Sequence, residues 1–214
     1  VDAVGYNPPV QVGIWRSVGN SYNGFVVESF IDELAHRAGE DPLQFRRQRL
    51  SEHARQLAVI DRLIEASDWN QPPAGRFQGA AVHECYGTVI GQVAEVSVAD
   101  GQIRVHKVTC VVDCGTVINP DIVRQQIEGG VIFGLTAALY GEIDIEDGYI
   151  RQSNFHDQRM LRLKDAPDVE VHLIPGTADP GGIGEAGVPC IAPAVANALF
   201  RATGVRQREL PLRV

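Results

Sequence analysis

The amino-acid sequence predicts an α+β fold built on a mixed or antiparallel sheet, and three observations carry that prediction. Helical periodicity is confined to the first third of the chain, the middle switches to alternation punctuated by Asp-Gly turns, and helices and strands are grouped rather than alternating one by one. Residues 1–214 are expected to form one unit, helical over about 24–66, with a sheet, a long helix and a glycine-rich loop over about 80–214.

Each element has its own signal. From Gly24, the apolar residues Val27, Phe30, Ile31, Leu34 and Ala38 recur at three and four, and Gly39 ends the pattern as a C-cap glycine would. This reads as an amphipathic helix. Asp41-Pro42 is an N-cap followed by proline, opening a short helix to Leu50 whose Arg46-Arg47-Gln48-Arg49 run reads as a solvated face. Leu57, Ile60, Leu63 and Ile64 mark a third helix that ends before Asn70.

Alternation then takes over. Ala94, Val96 and Val98 alternate with polar residues, Asp100-Gly101 is a hairpin turn, and Ile103 and Val105 resume the pattern towards a strand end near Asp113. Asn119-Pro120 opens a long apolar helix containing Gln126, Phe133 and Leu135, expected to be interrupted at Gly129-Gly130. Two glycines in a helix cost about 1 kcal/mol each against alanine, which points to another backbone or a ligand coming close there. Asp147-Gly148 marks a second hairpin, and Val169 to Ile174 one more strand, ended by Pro175. After the glycine-rich loop, Pro193 at the first helical position, then Val195, Ala198, Leu199 and Ala202, and finally Gly204 outline a capped helix.

Composition restricts function. A chain of 214 residues that is 44% hydrophobic can bury a substantial core. Its formal charge of -8 and the lack of a clustered basic face exclude nucleic acid as the expected partner. No apolar run approaches the roughly 18 residues of a membrane-spanning helix. The chain opens at Val1 without a Met, so it is expected to be a processed chain or a piece of a longer one, and periplasm and cytoplasm both stay open. Cys85, Cys110, Cys114 and Cys190 are too scattered for a disulfide framework, and Cys110 and Cys114 would lie about 13 Å apart along one strand at ~3.3 Å per residue, too far to share a metal ion. They read as buried apolar side chains, and the six isolated histidines add no ligand cluster.

The loop Gly181-Gly182-Ile183-Gly184-Glu185-Ala186-Gly187 contains a G-x-G-x-x-G spacing, but the dinucleotide fingerprint fails. The strand before it ends several residues too early, Pro189 and Pro193 interrupt the segment after it, and a carboxylate at Glu185 would face the pyrophosphate. Two readings remain: an ordinary turn, or a loop stripped of side chains so that one carboxylate projects, anchored by the helix behind it.

The segment PGGIGEAGVPCIAPAVANALFRATG closely resembles the C-terminal motif of the molybdenum-binding large subunit of the xanthine dehydrogenase/aldehyde oxidase family, most closely the isoquinoline 1-oxidoreductase beta-subunit group. WRSVGNSYNGFVVESFIDELAHRAGEDPLQFRR, VHECYGTVIGQVAEVSV, VVDCGTVINPDIVRQQIEGGVIFGL and SNFHDQ occur in the order of that group, so the resemblance covers nearly the whole chain. It implies the C-terminal part of a molybdenum cofactor-binding domain in a hydroxylase that oxidises an aldehyde or N-heterocycle with water-derived oxygen.

By the same resemblance Glu185 is the active-site base, Arg16 and Gln126 approach the cofactor with Gly184, and Val18 lines the substrate pocket, where xanthine enzymes carry a stacking Phe. No direct protein ligand to the metal is implied. The implied cofactor is a molybdenum-pterin, as the cytosine dinucleotide, completed by segments outside this chain, with iron-sulfur clusters on a small partner subunit. The upstream part of the large subunit is the other implied partner, and the isolated chain is expected to be inactive. The alternative is a structural or assembly fragment without the metal. Ala186 and Cys190 stand where the isoquinoline-type motif has prolines, a departure expected to loosen the loop.

Overall fold

The structure is a computed structural model that describes residues 8 and 10–214. Three helices come first: α1 (Gly19–Ala38), α2 (Pro42–Arg49) and α3 (Ala54–Ala66). Then come β1 (Phe77–Cys85), β2 (Thr88–Ala99) and β3 (Gln102–Asp113), the long helix α4 (Pro120–Tyr140), a small hairpin β4 (Ile145–Glu146) and β5 (Tyr149–Ile150), strand β6 (Asp168–Leu173) and α5 (Ile191–Thr203). The main sheet has the order β1-β2-β3-β6, antiparallel except for the parallel β3–β6 pair. It is therefore the mixed sheet of an α+β fold. No helix among the described residues is long and apolar enough to cross a membrane.

Local chemistry explains the boundaries. The side chain of Asp41 accepts hydrogen bonds from the Leu43 and Gln44 N–H groups, and that of Asn119 from Asp121 and Ile122, each satisfying donors that a helix start leaves open. Gly39 and Gly204 close α1 and α5 in the left-handed region at φ 70° and 75°. Tyr86-Gly87, Asp100-Gly101 and Asp147-Gly148 all take positive φ, the two-residue turn that matches strand twist.

The sheet is covered on both faces. Along β2, Ile90, Ala94 and Val96 point into one core with α4 and α5, while Val89 and Val93 point into a second with α2 and α3. Strand β1 was not apparent in the sequence because Gly79, Ala80 and Ala81 are all buried, so no polar-apolar alternation marks it. Gly79 is needed there: a Cβ would sit 2.1 Å from the Ala198 nitrogen and 2.3 Å from the Ala194 carbonyl oxygen of α5.

Four expectations are corrected. Helix α4 runs unbroken through Gly129-Gly130, because Gly130 faces the backbone of the glycine-rich loop, where a Cβ would come 3.0 Å from the Gly187 Cα. Pro193 is the third residue of α5 rather than the first, a position where its missing N–H still costs no helical hydrogen bond. Arg46 is not solvated but 3% exposed, donating to the Glu28 carboxylate and to the carbonyls of Pro42 and Glu28. Helix α1 starts five residues before Gly24 and is turned the other way: Val27, Phe30 and Leu34 are exposed, while Glu28 and Asp32 are buried against Arg46 and Arg206.

Candidate active site

The glycine-rich loop is held by three separate elements. The Gly181 N–H donates to the Cys114 carbonyl at the end of β3, and the Gly182 N–H to the Tyr86 carbonyl in the β1–β2 turn. Thr88 Oγ1 donates to the Gly182 carbonyl at 2.9 Å, and buried Gln92 Nε2 donates to the Gly187 carbonyl at 2.9 Å. A side chain at Gly181 or Gly182 would strike Gly87 or Tyr86, so this approach requires glycine. Behind the loop, Val188 and Cys190 lead into the buried α5.

Glu185 emerges half-buried from this frame. Its Oε1 accepts the Ser17 backbone N–H at 2.7 Å, and Oε2 has no hydrogen-bond partner among the described residues. One carboxylate oxygen is thereby fixed and the other left available as a proton acceptor. Ser17 reaches it from the turn before α1, where Ser17 and Val18 take φ 80° and 48° in succession. For a β-branched residue that region is strained by roughly 1–3 kcal/mol. The Tyr86 hydroxyl donates to the Ser17 carbonyl at 3.3 Å, bracing the turn from the other side.

Arg16 ties the loop to α4. Its Nε donates to the Gly184 carbonyl at 2.8 Å and its Nη2 to Gln126 Oε1 at 2.9 Å, while Trp15 packs on the Phe133 ring at a centroid distance of 4.7 Å. Arg16 makes no surface ion pair among the described residues, and Gln126 is a half-buried partner rather than a solvated helix position. The structure thus brings together Glu185, Gly184, Arg16 and Gln126, with the bonded pair Arg16 and Gly184 lying 168 positions apart in sequence. Val18 lies at the same turn, 50% exposed.

Ser17, Thr88, Tyr86 and Gln92 were not singled out from the sequence. They act through backbone groups or long-range contacts that leave no local pattern. The four cysteines are free and buried, and burial, with a smaller contribution from the Glu185 charge, pushes the Cys85 thiol up to about 11. A neutral thiol beside the carboxylate adds no competing charge.

Several donors at the loop are left without partners among the described residues. Arg16 Nη1 makes no hydrogen bond among the described residues, and neither do the N–H groups of Ile183, Gly184 and Glu185. Such donors can bind the oxygen atoms of a ligand, with the Glu185 carboxylate disfavouring a full negative charge next to it. No three His, Cys, Asp or Glu side chains gather as a metal site among the described residues.

The chain belongs to the molybdopterin cofactor-binding domain family, whose profile matches residues 27–167. It is similar to the isoquinoline 1-oxidoreductase subunit beta of Brevundimonas diminuta, 36% identical over all of this chain and 28% of that protein. It is also similar to a membrane-bound aldehyde dehydrogenase (pyrroloquinoline-quinone) of Gluconacetobacter polyoxogenes, 33% identical over 94% of this chain and 29% of that one. The chain therefore spans less than a third of the length of these relatives. The aldehyde oxidoreductase of Desulfovibrio desulfuricans ATCC 27774 shares the fold, with a TM-score of 0.74 over 92% of this chain and 40% of that one at 16% identity.

Proposed function

We propose that the chain is the base-bearing part of a molybdenum hydroxylase large subunit that oxidises an aldehyde or an N-heterocycle with oxygen derived from water. The observation that carries the reading is the Ser17 N–H on Glu185 Oε1, which orients one carboxylate oxygen and leaves Oε2 without a partner among the described residues, while Arg16 holds the carbonyl of the preceding Gly184. Arg16, Gln126 and the Gly184 backbone would hold the molybdenum-pterin, as the cytosine dinucleotide, with the upstream part of the subunit completing its site and a small iron-sulfur subunit receiving electrons. When bound, that group supplies the two-electron acceptor for the substrate C–H bond.

Glu185 takes the proton at Oε2 as water-derived oxygen is committed to the substrate carbon. Its loop frame prevents the carboxylate from swinging away, so little reorganisation accompanies proton transfer. Val18 faces the substrate with a small apolar surface, in keeping with relatives whose names span isoquinoline and aldehyde.

The test is Glu185→Gln in the complete enzyme, a nearly isosteric change that keeps a hydrogen-bond acceptor for Ser17. Single-turnover reduction by substrate should slow by at least about 10²-fold, the lower end of general-base contributions. Molybdenum content should stay equal to that of the parent. A mutant within about threefold of the parent, far below that range, would return the loop to being an ordinary turn.

A further inference from the structure

Helix α1 presents its apolar side to solvent. Tyr22, Val26, Phe30 and Leu34 recur every four residues, so they stack along one face, and they are 64%, 64%, 54% and 36% exposed. The buried side of the same helix carries Glu28 and Asp32, each neutralised by an arginine. A helix at a finished protein surface has the reverse arrangement. A continuous apolar strip of this kind marks a protein contact.

The first residue of the strip, Tyr22, follows Val18 by four positions and the Ser17 N–H that holds Glu185 by five, so the strip starts close to the candidate site. The chain spans 28% and 29% of its two relatives, so most of such a subunit lies outside it. Two copies of a chain with formal charge -8 would repel on approach, which disfavours self-association through this face.

We propose that the outward face of α1 is the docking surface for the rest of the same large-subunit polypeptide, which lays an apolar surface along Tyr22, Val26, Phe30 and Leu34. This rests on the reading of the chain as part of a longer hydroxylase subunit.

Hydroxyl-radical footprinting of the full-length large subunit, without its small subunit, tests the proposal. Labelling of Tyr22 and Phe30 should fall by about an order of magnitude against the chemically unfolded subunit, as packed interface cores exclude solvent. Labelling equal to the unfolded subunit would overturn the proposal. So would protection that appears only on adding the small subunit, or that grows with protein concentration, since the occupant would then be that subunit or a second copy. The readout is independent of turnover: an inert Glu185→Gln enzyme and a protected α1 are separate outcomes, so either reading can fail alone.

Discussion

Helices α1 and α5 pack against each other, yet α5 buries an almost wholly apolar face while α1 buries two carboxylates among its five buried residues. Ile191, Ala194, Val195, Ala198 and Leu199 of α5 lie between the sheet and α1, and Asn197, the one polar member of that buried stretch, donates to the Ala80 carbonyl. On α1 only Gly24, Phe25, Glu28, Asp32 and Ala35 are buried, with Gly24 fitting against Pro189. Helix α5 is complete within this chain. Helix α1 is complete only on its charged side, so hydrophobic periodicity identifies the face that requires cover without saying which polypeptide provides it.

The comparison can be broken first at α5. Gly79→Val would drive a branched side chain into the α5 backbone, where neither Ala194 nor Ala198 has a flexible atom to move. A loss of more than about 4 kcal/mol is expected in denaturant unfolding, or failure to fold. An undamaged protein would mean that α5 is not seated on β1.

The charged side of α1 comes second. Glu28→Ala removes the carboxylate that accepts from Arg46 and from the Val82 N–H, leaving a guanidinium that is 3% exposed without its partner. Breaking such a buried pair costs about 3–5 kcal/mol, to be read from the shift in denaturation midpoint at unchanged slope. The outward side gives the smallest effect. Val26→Lys should change the stability of this chain by no more than about 0.5 kcal/mol, because the side chain loses no contact within it. A loss above about 1 kcal/mol would show that the strip is already covered and would erase the contrast between the two helices.

Legibility followed the range of each signal. Asp41-Pro42, Asn119-Pro120, Gly39, Gly204 and the Asp-Gly turns act over four residues or fewer, and the structure reproduces all of them. Strand β1 escaped because both its faces are buried, and the inward face of α1 escaped because Arg46 and Arg206 come from 18 and 174 positions away. At the site, Glu185 and Gly184 stood out from the glycine pattern, whereas Arg16 and Gln126 needed the family resemblance. The Ser17 contribution is a backbone N–H, which any residue but proline supplies, so no side-chain pattern could disclose it.

The contact between Gly130 and Gly187 has a consequence for how such a subunit can diversify. Two residues with only hydrogen on their Cα atoms set the spacing between α4 and the loop, and a single methyl at position 130 would already force the loop to give by a few tenths of an ångström. The spacing between α4 and the loop that carries Glu185 is therefore gauged by backbone against backbone. If Val18 lines the substrate side as proposed, exchanging it leaves this glycine contact untouched, and its influence on Glu185 would pass only through the neighbouring Ser17 N–H.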